Sequence, residues 1–243
     1  MGMPITVEIV DPAVTQKHLD AVFAYFTSIE ERFSVFKDTS EITKINKGQQ
    51  IISKASADMK KIFRLCEETK QATQGYFDIV ARDGSLNPSG IVKGWSIYQA
   101  SELLKKNGMH HYYVEAGGDI QVSGSNADNK PWSIGIRNPF KHEEIVKIVY
   151  LVHQGIATSG TYLRGQHIYN PHDKTEVFSE VVSLSVIGPN IYEADRFATA
   201  AFAMGRKGIE FIEQLPGLEG YAIDKNGIAT MTSNFDTYTK SYV

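Results

Sequence analysis

The chain has 243 residues, 42% hydrophobic and 22% charged, which is enough apolar material for a sizeable core and excludes a disordered chain. Lysine and arginine total 25 against 28 acidic residues, a formal net charge of −3, so no basic excess steers it toward nucleic acid or an anionic membrane. A single cysteine, Cys66, excludes an intramolecular disulfide, and no apolar run approaches the ~20 residues of a membrane span.

Pro4 to Val10 alternates as a β-strand. Helical periodicity follows over residues 13–36, through Val22, Phe23, Phe26, Ile29 and Phe33. A short second helix opens after Ser40 and ends near Asn46. "ADMKKIFRLCEETKQATQG" is a further helix with Gly75 as its stop signal, and Cys66 reads there as a buried, inert thiol. "YFDIV" is a short apolar run and "ARDGSLNPSG" is turn-rich. From Ile91 the pattern is helical again, with Ile91, Trp95 and Tyr98 on one face and Gly108 at the end.

"YYVEA", "DIQVSG", "WSIGIRN" and "EIVKIVYLV" read as strands, and "SEVVSLSVIG" as the next. A helix then covers 192–204 and a shorter one 207–214. "GYAIDKNGIATMT" is a hairpin whose "KNG" supplies a turn with positive φ. Strands in meanders, rather than a regular βαβ alternation, predict an α+β fold. The expected organisation is one domain, residues 1–243, in two lobes, with the Gly/Pro-rich stretch near 82–94 as a weak candidate boundary.

Four stretches carry residues suited to chemistry. In "NPSGIVKG", residues 87–94, glycines flank Lys93 at a helix start, where exposed N–H groups and a lysine favour phosphate; a tight loop with a solvated lysine is the alternative. "EAGGDIQVSG" joins two strands through Gly117 and Gly118. Either the glycines admit a ligand close to the backbone beside Asp119, or they simply make the turn. "IATSGTYLRGQHIYNP" places His167 in a strand-like segment near Ser159 and other hydroxyls, as a general base or as a structural histidine. In "YEADRFATA" an apolar stripe runs through Ala194, Phe197, Ala198, Ala201 and Phe202, with Asp195 and Thr199 one above the other along its edge. Oxygens at i and i+4 can ligate a hard cation such as Mg²⁺, whereas a back-bonded threonine and an aspartate complementing the helix N-terminus need no ligand.

Taken in order, "MGM", "FSVFKDTSEITKIN", "YFDI", "NPSGIVKGW", "EAGGDI", "IATSG", "HIYNP" and "EADRFATA" resemble the ApbE family, the FAD:protein FMN transferases, from Met1 to about residue 230. The resemblance implies largely antiparallel sheets with packed helices in a T-fold-like architecture. It implies Mg²⁺-dependent transfer of FMN from FAD to a Thr or Ser hydroxyl of an acceptor flavoprotein, with release of AMP. FAD enters as substrate and Mg²⁺ as cofactor.

By the same resemblance, the metal ligands are Asp195, Thr199 and the carbonyl of Gly90. FAD contacts fall on Met1, Phe36, Asn46, Tyr76, Phe77, Asp78, Asn87 and Lys93, with Gly117, Gly118 and Asp119 beside them. His167 is the base that activates the acceptor hydroxyl, and Ser159 a hydroxyl that orients phosphate or acceptor. Three positions depart from the family pattern: Asn170 stands where an aspartate is usual, Phe36 where a tyrosine is frequent, and Tyr98 where an aspartate is common. Two rival functions use the same residues, an FAD pyrophosphatase with water as acceptor and a flavin-binding protein without chemistry. "MGMPITVEIV" lacks a basic n-region, an apolar h-region and a lipobox cysteine, so the expected location is cytoplasmic, or that of an exported lipoprotein if a leader was trimmed.

Overall fold

The computed structural model describes residues 2–141, 143–160, 170–172 and 180–240. The alternating N-terminus forms β1 (Ile5–Ile9), and helix α1 (Gln16–Phe33) follows. Serines start the next two helices. Ser40 Oγ accepts the Thr43 N–H at 3.2 Å before α2 (Glu41–Asn46), and Ser56 Oγ accepts the Met59 N–H at 3.2 Å before α3 (Ala57–Ala72). The chain leaves α3 through Gly75 at φ +84°, a conformation that favours glycine. Helix α4 (Ser89–Lys106) begins two residues before the predicted Ile91.

A meander follows: β2 (Tyr112–Ala116), β3 (Asp119–Ser123), β4 (Trp132–Arg137), β5 (Ile145–Leu151), β6 (Gly155–Gly160) and β7 (Val181–Gly188). Helices α5 (Ile191–Ala203) and α6 (Lys207–Glu213) lead to the hairpin β8 (Glu219–Asp224) and β9 (Ala229–Met231). Strand β6 falls outside the strands the sequence pattern predicts, because Gly155, Ser159 and Gly160 have little intrinsic strand signal. Burial between β3 and β7 selects the conformation instead.

Seven strands form one sheet in the order β1-β2-β3-β6-β7-β8-β9, and β4 and β5 form a separate pair. Every pairing among the described strands is antiparallel, in keeping with the expected α+β class. The large sheet is covered on both faces. Val114, Ala116, Ala157, Leu184 and Val186 meet Val22 and Phe26 of α1, Ile97 and Leu104 of α4, and Ala194, Ala198 and Phe202 of α5. Ile120, Val122, Ile156, Ile187 and Ile223 meet Trp132, Ile134, Val149 and Leu151 of the β4–β5 hairpin on the other side. Each fully buried Val, Leu, Ile or Phe among them contributes roughly 1.5–3 kcal/mol.

A third cluster lies among the helices, with Ile29 and Phe33 of α1, Ile42 of α2, Met59, Ile62 and Cys66 of α3, and Ile91 and Trp95 of α4. Helices α1 and α4 each bury one end in this cluster and the other against the sheet. Cys66 is 1% exposed, and burial, aided by Asp78, pushes its thiol up to about 12, which makes it inert at neutral pH.

Candidate functional site

Helices α4 and α5 cross at two small residues. A Cβ built on Gly94 would lie 2.6 Å from Asp195 Cβ and 2.8 Å from the Ile191 carbonyl oxygen. One turn earlier on α4, a Cβ on Gly90 would lie 3.4 Å from the Thr199 methyl and 3.0 Å from the Phe77 ring. The pairs Gly94–Asp195 and Gly90–Thr199 therefore face each other turn by turn. This brings the three proposed metal-ligand residues onto one helix crossing.

Asp195 is 2% exposed, and its Oδ2 accepts the Gly94 N–H at 2.7 Å. In a helix ladder that N–H is the donor assigned to the Gly90 carbonyl. A carbonyl oxygen carries two lone pairs, so the Gly90 oxygen keeps acceptor capacity beside any ladder bond. Asp195 Oδ1 faces Lys93 Nζ at 3.6 Å, beyond a normal hydrogen bond. Lys93 also pairs closely with Asp119 Oδ2.

Asp119, 1% exposed, is delivered by the β2–β3 turn. Gly117 and Gly118 have φ +59° and +93°, the left-handed pair that a two-residue hairpin loop requires. Asp119 Oδ1 accepts the Thr158 N–H of β6 at 3.1 Å, just past the last paired residues of β3 and β6. The Thr158 hydroxyl in turn meets Ser185 Oγ at 2.7 Å. Ser159 is buried on β6. By alternation with Ala157 it belongs to the helix-facing side of the sheet, the side of Asp119 and α5.

The electrostatics of this cluster are unbalanced. Two buried carboxylates share one ammonium. Burial raises the Asp195 carboxyl above the usual range; Lys93 opposes the shift and Asp119 adds to it. A divalent cation would offset that excess. The donors at the crossing are a carboxylate, a hydroxyl and a carbonyl, the oxygen set a hard cation takes.

Thr199 forms no back-bond to the carbonyl four residues earlier among the described residues, unlike Thr69 and Thr73, which donate to Leu65 and Thr69 at 2.7 Å. Its hydroxyl is thus not committed to its own helix. Among the described residues no group of three His, Cys, Asp or Glu side chains could hold a metal ion. A cation here would depend on the Gly90 and Thr199 oxygens as well as on Asp195.

The other candidates surround this cluster unevenly. Phe77 is buried against Gly90. Asn87 Oδ1 accepts from both N–H and Oγ of Ser89, at 3.1 and 2.6 Å, and so starts α4. Asp78 is tied to Lys70 at 2.8 Å and to the Val80 N–H at 2.9 Å. Asn46 uses both ends of its amide on the Leu86 backbone, at 3.0 and 2.9 Å, and pins the 86–88 segment to α2. Tyr76 meets the His172 ring edge-on at 4.5 Å. Phe36 is 95% exposed. Met1 and His167 lie outside the described residues.

Asn170 Oδ1 accepts the His172 N–H at 3.1 Å, a turn that aspartate and asparagine close equally well. The departure from the usual aspartate thus keeps this bond. A cleft of about 430 Å³ opens elsewhere, between Gly2–Ile5 and Phe23, Phe26, Thr27 and Glu30 of α1, and no described candidate residue lines it. Reading the sequence missed the role of Gly94. Gly94 had a visible signal, a second glycine one turn after Gly90.

The ApbE family profile matches residues 1–83 and 80–222. The chain is 30% identical over 148 residues to an FAD:protein FMN transferase of Klebsiella pneumoniae, a stretch covering 57% of this chain and 42% of that protein. It is 34% identical over 128 residues to one of Vibrio cholerae, covering 49% and 38%. The matched stretches thus span less than half the length of these curated relatives. The fold is that of the flavin transferase ApbE from Vibrio cholerae, with TM-score 0.86, 21% identity, and 98% and 96% of the two chains covered. It is equally that of the ApbE protein from Thermotoga maritima, with TM-score 0.87, 18% identity, and 99% and 97% covered. With the family profile covering most of its residues, the chain belongs to the ApbE family.

Proposed function

We propose that this protein is a Mg²⁺-dependent FAD:protein FMN transferase. It joins FMN from FAD to a Thr or Ser hydroxyl of an acceptor flavoprotein and releases AMP. The observation that supports this most strongly is the buried Lys93–Asp119–Asp195 cluster beside the Gly90–Thr199 contact, because it holds unbalanced negative charge and oxygen donors where a pyrophosphate-bound cation is needed.

Asp195, Thr199 and the Gly90 carbonyl would hold Mg²⁺, which when bound supplies charge neutralisation to the pyrophosphate. Lys93, held by Asp119, adds a fixed positive charge at the same place. Phe77 walls the site beside Gly90, and the exposed ring of Phe36 offers a surface for stacking. In this reading His167 takes the proton from the acceptor hydroxyl. The acceptor oxygen bonds to the flavin-side phosphorus, and the bond to the AMP phosphate breaks.

The test is incubation with FAD, Mg²⁺ and candidate flavoproteins, followed by intact-protein mass spectrometry. The expected product is an acceptor heavier by one FMN unit, mapped to Thr or Ser, with AMP released in equal amount. Release of FMN and AMP with no adduct on any acceptor would assign the chain to FAD hydrolysis instead. Binding of FAD with no AMP released would leave only flavin binding.

A further inference from the structure

We propose that Gln121 is a positioning residue for the cation site, acting through the first turn of α5. The proposal rests on the Mg²⁺-dependent reading above. Gln121 lies two residues after Asp119 on β3, so both side chains face the helices. It is 5% exposed, and both ends of its amide are engaged. Oε1 accepts the Ile191 N–H at 2.8 Å. Nε2 donates to the Val122 carbonyl at 2.9 Å and lies 3.3 Å from the carbonyls of His153 and Gln154.

Ile191 is the first residue of α5, where backbone N–H groups have no partner within the helix. The N-cap Asn190 serves the Glu193 N–H at 2.9 Å, which leaves the Ile191 N–H to Gln121. The seat beneath is equally close. A Cβ on Gly155 would lie 2.1 Å from the Ile191 nitrogen, so the helix start rests directly on β6.

Asp195 stands one helical turn after Ile191, and a hydrogen-bonded turn transmits a displacement of its first residue to the next turn. Gln121 therefore ties α5, which carries Asp195 and Thr199, to the strand that carries Asp119. The acceptor function needs an oxygen at that reach. The donor function needs an N–H₂ facing three carbonyls, which rules out a carboxylate as a full substitute.

The test compares the parent protein with Gln121→Met, which keeps the length and loses both bonds. Val149→Ala is the control, a core change on the other side of the sheet. Mn²⁺ binding is read by electron paramagnetic resonance without FAD, and the Mg²⁺ dependence of AMP release from FAD separately. Removing an outer hydrogen-bond partner that orients metal ligands costs roughly 10–100-fold in metal affinity. Gln121→Met is expected to weaken Mn²⁺ binding by about 10-fold or more and to raise the half-saturating Mg²⁺ in proportion. Val149→Ala should lower thermal stability and leave Mn²⁺ affinity unchanged.

If Gln121→Met does not fold, Gln121→Glu, which keeps the oxygen for Ile191, takes its place and should show the smaller defect of about 10-fold. Equal Mn²⁺ affinity in parent and variant would overturn the positioning role alone. A parent protein that binds no Mn²⁺ would overturn the cation-site reading itself.

Discussion

Gly94→Ala is the sharpest probe of the helix crossing. In an ordinary helix interior the change stabilises, because alanine exceeds glycine in helix propensity by about 1 kcal/mol. Here the new methyl would meet Asp195 Cβ at 2.6 Å, Ile191 O at 2.8 Å and Asp195 Oδ2 at 2.9 Å. One contact is backbone and the others belong to a side chain held by the Gly94 N–H itself. The methyl therefore has no flexible neighbour to displace, and α4 and α5 must separate.

Overpacking of this kind costs about 1–3 kcal/mol, and the propensity gain offsets part of it. The expected net loss is about 0–2 kcal/mol, a fall in Tm of at most roughly 8 °C for a chain of this size. The chemical effect should be larger than the stability effect. Parting the helices moves Asp195 and Thr199 away from Gly90, and a misplacement of about 1 Å can cost ~10²-fold in rate. The assays are a thermal melt and AMP release from FAD across a Mg²⁺ titration. A Gly94→Ala protein with raised Tm and unchanged Mg²⁺ dependence would refute the close packing and the shared position of these groups.

Asp195→Ala should keep a folded apo protein yet abolish the rise in Tm that Mg²⁺ and FAD give the parent. Thr199→Val, losing one neutral oxygen, should show a smaller defect relieved by high Mg²⁺. His167→Ala should lower transfer by roughly 10²–10⁴-fold while FAD affinity, followed by flavin fluorescence, stays within about twofold; a parental rate would make His167 structural. Phe36→Ala should leave Tm unchanged to within about 0.5 kcal/mol of stability, since the ring is 95% exposed. Any rise in its KM for FAD then reports direct stacking, and an unchanged KM removes Phe36 from the flavin site.

The parts of this site that were legible in the sequence are those with local signals. The i, i+4 placement of Asp195 and Thr199 follows from helical periodicity, and both residues lie on α5 as expected. The Gly117–Gly118 turn is equally local, since adjacent glycines readily take the positive φ at both positions that a type I′ hairpin turn uses. The Lys93–Asp119–Asp195 cluster is not local. Its members come from α4, β3 and α5, and no periodicity relates residues whose meeting is set by sheet order. Asn46 is a similar case. The family resemblance assigns it to FAD, and its amide also bonds the Leu86 backbone through one N–H and one lone pair, which leaves one of each for a ligand. The contact that joins α2 to the segment leading into α4 is the part no local pattern shows.

Stability alone does not account for the cluster. Two carboxylates and one ammonium are removed from water at the centre of the fold, with Asp119 and Asp195 at 1% and 2% exposure. Apolar groups of similar volume at such positions are often neutral or more stabilising, because the desolvation of each ion costs several kcal/mol. The surrounding residues accommodate the cost instead of avoiding it. Gly94 leaves room for Asp195 and gives it an N–H, Thr158 gives Asp119 another, and Gln121 fixes the helix between them. A core built this way retains a negative excess beside oxygen donors that are not fully committed. On the proposed reading, the group that completes it is a hard cation, whose remaining ligands the pyrophosphate of the substrate would supply.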